Sequence, residues 1–406
     1  MRYYIGVDWA DREDAVWVED EQGALVQQRT WAHTPEALAE WGRWLDERRA
    51  EGIELWAAIE KPDGRVVDFL LDHGVVVFPI NPKALDRARD RYRMSGAKSD
   101  PFDARVLAGF LRTDHGHLAP LRPSSEEAQE LKGLTRDYTR QVRQQTRLLN
   151  QLTVTLKEYY PRALEVCEHF KSRWARAFVQ TYPTPKDLEQ LSQRQWQRWG
   201  RTQRLSAERV AALWAIVQRP QGAVPAHVVR VKARRQAVLL EQLEVTSRAV
   251  DAYRQGVEDF FASMPAAKWA GTLPGGHSGT TVPALWAELG DAPGRWLTAQ
   301  HLQGHAGTVP VTERRGKALV VKFRFACNTH LRAAVQQLAF LSLRRSAWAR
   351  AYYDRCRARG HAHQHALRAL GAKWLKIIFA LWTRHLPYSE EYHLASIARH
   401  HLKQPV

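Results

Sequence analysis

Four carboxylates in this chain could do chemistry together. Asp8 lies in IGVDWA, Glu60 in AAIEKP, and Asp100 and Asp103 in KSDPFDA. Acids gathered at one point cannot all stay charged unless cations neutralise them. Hard oxygen donors suit Mg²⁺ or Mn²⁺, and two such ions roughly 4 Å apart suit in-line attack at a phosphate. One ion would activate the attacking oxygen and the other would stabilise the leaving oxygen. Taken singly, each residue has an ordinary role. Asp8 could end a strand in a turn, and Glu60 could pair with Lys61 at the surface. Asp100 could be an N-cap and Asp103 a first-turn partner of the helix dipole. Only convergence separates the two readings.

Convergence depends on the elements that carry these residues. YYIGVDWA (3–10), DAVWVED (14–20) and ALVQQRTW (24–31) read as three strands, rich in β-branched and aromatic residues with short connections, hence an antiparallel meander. Thr34-Pro35-Glu36 opens an amphipathic helix, with Thr34 as N-cap. LWAAIEK (55–61) reads as a fourth strand, and RVVDFLLDHG (65–74) as a helix closed by Gly74. VVVFPIN (75–81) is apolar enough for a strand buried on both faces. PKALDRARD and KSDPFDARVLAGFL follow as helices. The order β-β-β-α-β-α-β-α predicts a mixed sheet whose meander gives way to parallel strands. If the first strand is central, Asp8 lies beside Glu60. Asp100 and Asp103, three apart on one helix face, come to the same place.

Beyond residue 124 the pattern is helical. Apolar residues recur at steps of three, four or seven over 126–160, and again over 226–262, predicting long helices of a coiled-coil arm that pair antiparallel or across a dimer. Residues 181–225, rich in Gln, Arg and Trp, read as irregular. The last third holds a Gly-rich turn in LPGGHSG, a compact segment over 306–328, and helices over 329–345, 346–358 and 361–385. The expected domains are 1–123, α/β and catalytic; 124–262, a helical arm; and 263–406, mostly α.

Charge is distributed unevenly. Residues 1–128 carry a net −7, residues 129–260 a net +10 and residues 261–406 a net +14. A carboxylate-rich head on a basic body implies a polyanion partner. The three cysteines form no CxxC pair, which argues against a disulfide framework or zinc cage and suits a reducing cytoplasm. Neither a signal peptide nor a membrane span is expected.

Basic residues Arg314, Arg315, Lys317, Lys322 and Arg324 would contact nucleic-acid backbone. Gly275, Gly276 and Gly279 could offer backbone N–H groups to a phosphate at the next helix start, or form an ordinary turn. The aromatics Phe323, Phe325, Trp348, Tyr352 and Tyr353 could stack on unpaired bases or fill a core. His361 and His365 share a helix face without a visible third metal ligand.

GVDWA, IEK and KSDPFDA, with LPGGHSGTTVPALWAELGD, AGTVPV and RFACNTHLRAAV, resemble the DEDD transposases of bacterial insertion sequences, a family that includes Piv-like DNA invertases. The resemblance implies a RuvC-like, RNase H-type N-terminal domain with Asp8, Glu60, Asp100 and Asp103 as its metal ligands, and a C-terminal transposase domain. It further implies DNA cleavage and strand exchange, a structured noncoding guide RNA, a homo-dimer or tetramer, and action at the nucleoid. The family pattern GTxPxTxxSGK carries a serine read as the nucleophile. Here Gly307-Thr308-Val309-Pro310-Val311-Thr312-Glu313-Arg314-Arg315-Gly316-Lys317 puts Arg315 at that place. A guanidinium stays protonated and cannot attack phosphate. Either Thr312 or another hydroxyl substitutes, or water attacks as in a RuvC-like nuclease, or binding persists without chemistry.

Overall fold

Alternation along the chain builds the first sheet. The computed structural model describes residues 1–60, 64–92, 99–276, 279–316 and 318–402. These divide into two compact units, Met1–Pro123 and Ser124–Val406.

In the first unit, strands β1 (Arg2–Trp9), β2 (Glu13–Glu19) and β3 (Leu25–Ala32) precede helix α1 (Pro35–Ala50). Then come β4 (Glu54–Ile59), α2 (Arg65–Asp72), β5 (Val76–Pro79), α3 (Pro82–Arg89) and α4 (Asp100–Asp114). The sheet order is β3-β2-β1-β4-β5. The β1–β2 and β2–β3 pairs are antiparallel, whereas β1–β4 and β4–β5 are parallel. β1 is therefore central. Its odd residues Tyr3, Ile5 and Val7 bury against Trp41 and Leu45 of α1 and Val66 and Leu70 of α2. Tyr4, on the opposite face, packs with Phe102, Val106 and Leu107 of α4. Thr34 caps α1 by accepting from the Ala37 N–H at 3.3 Å.

One expectation changes here. β5 is an edge strand with Val76 exposed, not a strand buried on both faces. Val77 and Phe78 still reach the two cores, so the apolar run VVVFP reports burial of alternate residues only.

The second unit is built on two long helices, α5 (Glu126–Tyr159) and, after shorter ones, α11 (Ala226–Ser263). Leu131 shares a core with Val257, Gln145 donates to Ser247, and Lys232 pairs with Glu158. That descending register is antiparallel. Between them run α6 (Pro161–Val166), α7 (Arg173–Thr181), α8 (Pro185–Glu189), α9 (Gln193–Thr202) and α10 (Ala207–Val217). Residues 181–225 thus hold three short helices, where an irregular segment was expected. Trp196 and Trp199, on one face of α9, fill a core with Phe178 of α7 and Leu152 of α5. The Trp residues read as irregular because each helix is too short to show a full period.

After α11 come α12 (Ala267–Ala270), α13 (Thr281–Leu289) and α14 (Ala299–His305). A hairpin of β6 (Val311–Arg315) and β7 (Ala318–Lys322) follows. α15 (Thr329–Ser342), α16 (Ala347–Ala358), α17 (His363–Arg384) and α18 (Glu390–Leu402) complete the chain. The second core of this unit joins Leu131, Phe261, Trp286, Leu338 and Trp374.

A buried ion pair ties these helices together. Arg136 on α5 donates from Nε and Nη2 to Glu288 on α13, at 2.8 and 3.1 Å. Asn328 Nδ2 adds a third bond at 2.7 Å, while its Oδ1 caps α15. Burial pushes the Glu288 carboxyl up, but the bonds from Arg136 and Asn328 outweigh it and hold the group below its ordinary 4.5. A carboxyl lowered by folding contributes stability that is present above the unfolded-state pKa and lost as pH falls through the folded value. Glu288→Ala is expected to cost about 3–5 kcal/mol. Glu288→Gln should flatten the fall in melting temperature below about pH 4.5. Melts from pH 3 to 7 check both, and an unchanged acid limb in the Gln variant contradicts the assignment.

Candidate metal centre

The parallel register of β1 and β4 sets up the site. Tyr4 pairs with Trp56, Gly6 with Ala58 and Val7 with Ile59. One further step of that register sets Asp8 beside Glu60, the residue that follows β4. Strand alternation puts Tyr4, Gly6 and Asp8 on one face of the sheet, and this is the face that α4 covers.

α4 lies unusually close to that face. A Cβ built on Gly6 would stand 1.8 Å from the Ala104 carbonyl oxygen and 2.7 Å from the Ala108 nitrogen. Only a glycine lets the helix backbone approach so near. Arg112 on α4 donates to Glu19 on β2 at 2.8 Å, and the Arg105 guanidinium lies 5.4 Å from the Trp17 ring centroid. These contacts fix the axial position of α4 over β1 and β2. Its first turn, bearing Asp100 and Asp103, then falls near the end of β1. Asp100 is the first helical residue and Ser99 is the N-cap, so the capping role considered for Asp100 does not hold. The Ser99 side chain makes no capping bond, although its carbonyl accepts from the Asp103 N–H at 2.9 Å.

Asp8 feels the charges of the other three acids. The Asp8 carboxyl is pushed up to about 7, first by burial and then by the charges of Asp103, Asp100 and Glu60. Arg89 opposes that rise. It stands at the end of α3 and grips Asp103 bidentately, Nε to Oδ1 at 2.6 Å and Nη2 to Oδ2 at 2.7 Å, and also pairs with Asp86. Asp103 is buried, Asp8 and Glu60 are partly exposed, and Asp100 is exposed. Among the described residues, no three His, Cys, Asp or Glu side chains stand close enough to hold an ion as they are. The donor types suit a hard divalent cation, but one of the four is committed to a guanidinium. Arg89 was missed in the sequence. Its only trace there is the basic run DRARDRYR just before the acidic helix, a pattern also common on solvated faces.

The C-terminal candidates form a separate group. Arg314 and Arg315 lie on β6, paired in register with Leu319 and Ala318. Lys322, at the end of β7, donates to Glu313 at 2.7 Å, and Arg324 Nε donates to the Val309 carbonyl at 3.3 Å. Lys317 lies outside the described residues. Thr312 stands exposed on β6. Gly275 and Gly279 have φ of 83° and 93°, and a Cβ on Gly276 would meet the Gly271 carbonyl at 2.3 Å. For Gly275 and Gly276 tight packing is reason enough. His361 and His365 stack at 4.4 Å and join no metal-ligating group of described residues.

The chain is similar to proteins of bacterial insertion sequences. A DEDD transposase model matches residues 5–161, and a model of the transposase IS116/IS110/IS902 family matches residues 257–354. A Streptomyces coelicolor protein assigned as the mini-circle transposase for IS117 is 33% identical over 392 residues, covering 92% of each chain. The 42 kDa protein of insertion element IS900 from Mycobacterium paratuberculosis is 25% identical, covering 95% of this chain and 96% of its own. A solved structure of T. thermophilus RuvC in complex with a Holliday junction substrate is 14% identical with a TM-score of 0.23, covering 30% of this chain and all of that one.

Proposed function

The chain belongs to the IS116/IS110/IS902 transposase family, and on that premise we propose that it cuts and rejoins the DNA strands of an insertion sequence at Asp8, Glu60, Asp100 and Asp103. The observation that supports this reading is the parallel β1–β4 register, which runs to Val7 opposite Ile59, one step before Asp8 and Glu60, together with the charges of Asp103, Asp100 and Glu60 acting on Asp8. The sheet order β3-β2-β1-β4-β5 supports an RNase H-type, RuvC-like catalytic domain over 1–123. A helical arm over 124–262 and a nucleic-acid-binding domain over 263–406 complete the proposed division.

Asp8 and Glu60 would hold a divalent cation from the strand ends, and Asp100 and Asp103 from the helix. Mg²⁺ or Mn²⁺ bound there supplies charge neutralisation at the attacking and leaving oxygens. The chain's own part is positional. Asp103 must leave Arg89 before the four carboxylates can gather, and Arg89, still paired with Asp86, could then turn part of its guanidinium toward a phosphate. Arg89→Met is therefore expected to bind Mn²⁺ about ten-fold more tightly in calorimetry, since it removes a charge-assisted competitor for Asp103. Equal or weaker binding would count against that competition.

DNA and a structured noncoding guide RNA are the proposed partners, and the bacterial nucleoid the proposed place. A second copy is proposed along α11, where Val231, Val238 and Val245 are exposed at a seven-residue spacing. That repeat suits a self-complementary coiled-coil seam giving a dimer or tetramer.

The test is cleavage of the element's own end-junction DNA with Mg²⁺ and RNA transcribed from its flank, against an Asp8→Ala control. Products are resolved on a denaturing gel that shows protein-linked DNA. A linked band absent from the control supports exchange through a hydroxyl other than the serine that Arg315 replaces. Free nicks would favour water attack, as in a RuvC-like nuclease. No product with binding intact would refute catalysis.

A further inference from the structure

A cavity of about 500 Å³ opens beside the β6–β7 hairpin, in the second unit. Its walls come from the segment before β6, the end of β7 with the residues after it, and α16 and α17. Five cations line it, Lys322, Arg324, Arg368, Lys373 and Lys376, and no Asp or Glu is among its described lining residues. Lys322 is matched by Glu313. Arg368 has no carboxylate partner among the described residues. Burial and the nearby Arg332 both pull its pKa down. A guanidinium held in that state lacks counter-charge, and an anion would relieve it.

The cavity also has an aromatic wall. Phe323 lies with the Arg368 and Arg332 guanidiniums 4.8 and 5.3 Å from its ring centroid. Phe325 lies outside the lining but stands edge-on to Phe323 at 4.8 Å, 81% exposed, where it could extend that wall. Tyr352 lines the cavity from α16, with Lys373 Nζ 5.8 Å from its ring. Exposing a phenylalanine so fully has a hydrophobic cost unless a partner covers it. Cations without carboxylates and bare aromatic rings together match the phosphate and the base of one nucleotide. The cavity is in the range of small-ligand pockets and takes about one nucleotide, which paired DNA would have to extrude to fill it.

We propose that this cavity receives one unpaired nucleotide, its phosphate among Arg368, Lys373 and Lys376 and its base against Phe323 and Phe325. The proposal deepens the nucleic-acid reading of residues 263–406, and it does not depend on cleavage at Asp8. The nucleotide can come from an extruded DNA base or from a single-stranded RNA segment, since both present the same phosphate and ring.

The test uses the full chain and three labelled probes: single-stranded oligo-dT, single-stranded oligo-rU and a DNA duplex of equal length. Binding is read by fluorescence anisotropy, and placement by photocrosslinking of 5-iodouracil versions of the two single strands. Phe325→Ala and Arg368→Ala are each expected to weaken single-strand binding about ten-fold and duplex binding less than two-fold. Arg368→Lys should recover part of the loss. The crosslink should fall on the peptide containing Phe323 and Phe325, and the stronger of the dT and rU arms identifies the source. Phe325 is so exposed that its truncation leaves the fold intact, so a null result there is not a folding artefact. Equal losses for single strand and duplex, or a crosslink elsewhere, would overturn the pocket. The crosslink is read without divalent cation and cleavage with it, so the two readouts are independent. Cleavage without the crosslink therefore removes this inference alone, and the crosslink without cleavage removes the catalytic one.

Discussion

Asp8→Asn should lower divalent-dependent strand cleavage by about a thousand-fold, the loss expected when several kcal/mol of charge stabilisation leave a two-ion site. The substitution is nearly isosteric and lies at a strand end, so the sheet should survive it. It also removes the acid that the others crowd. The Asp8 carboxyl is pushed up to about 7, by burial first and then by Asp103, Asp100 and Glu60. From its ordinary 3.8 to about 7, the folded chain therefore holds a proton there that the unfolded chain has released. A carboxyl raised by folding makes stability fall as pH rises through that window. In chelator, the Asn variant should melt higher than the native chain at pH 8, by about half as much at pH 5.5, and level with it only near pH 3.8. Cleavage by the native chain should rise with pH across 6 to 8, as the proton yields to the cation. A variant that still cleaves at the native rate would end the proposal that Asp8 holds the ions.

Gly6 carries the largest expected effect on stability. A Cβ at that position meets backbone atoms, the Ala104 oxygen at 1.8 Å and the Ala108 nitrogen at 2.7 Å. Backbone cannot rotate aside as a side chain can, so α4 must lift from the sheet. Gly6→Ala should cost about 3 kcal/mol or more, at the upper end for overpacking, and Gly6→Val should leave little soluble protein. Lifting α4 also moves Asp100 and Asp103 away from Asp8. The soluble fraction of Gly6→Ala should therefore bind Mn²⁺ more weakly than the native chain. Native melting and native Mn²⁺ affinity in Gly6→Ala would show that the helix does not rest on this glycine.

Much of the site could be read from the sequence because it rests on short-period rules. The β-branched and aromatic run YYIGVDWA put Asp8 late on the first strand, and the three-residue spacing of Asp100 and Asp103 put both near the start of one helix. That β1 is central was only a condition of the sequence reading, and the sheet order meets it. Arg89 escaped because its role comes from a tertiary contact between α3 and α4, and sequence spacing does not encode which cation an acid will find. The short helices over 181–225 escaped for another reason. The capping boxes Thr184 with Asp187 and Ser192 with Gln195 are local signals that mark two of their starts. They were outweighed by the missing periodicity of helices only five to ten residues long. The edge position of β5 depends on a sixth strand not joining it, and no residue in VVVFP reports that.

The antiparallel pair of α5 and α11 has a consequence as a length. α5 runs 34 residues without a break, and it belongs to one core through Leu131 and to another through Leu152 and Leu156. At the rise of an α-helix it measures about 50 Å, which on B-form DNA is roughly fifteen base pairs, or one and a half turns. A duplex lying along this rod would show opposite faces to its two ends.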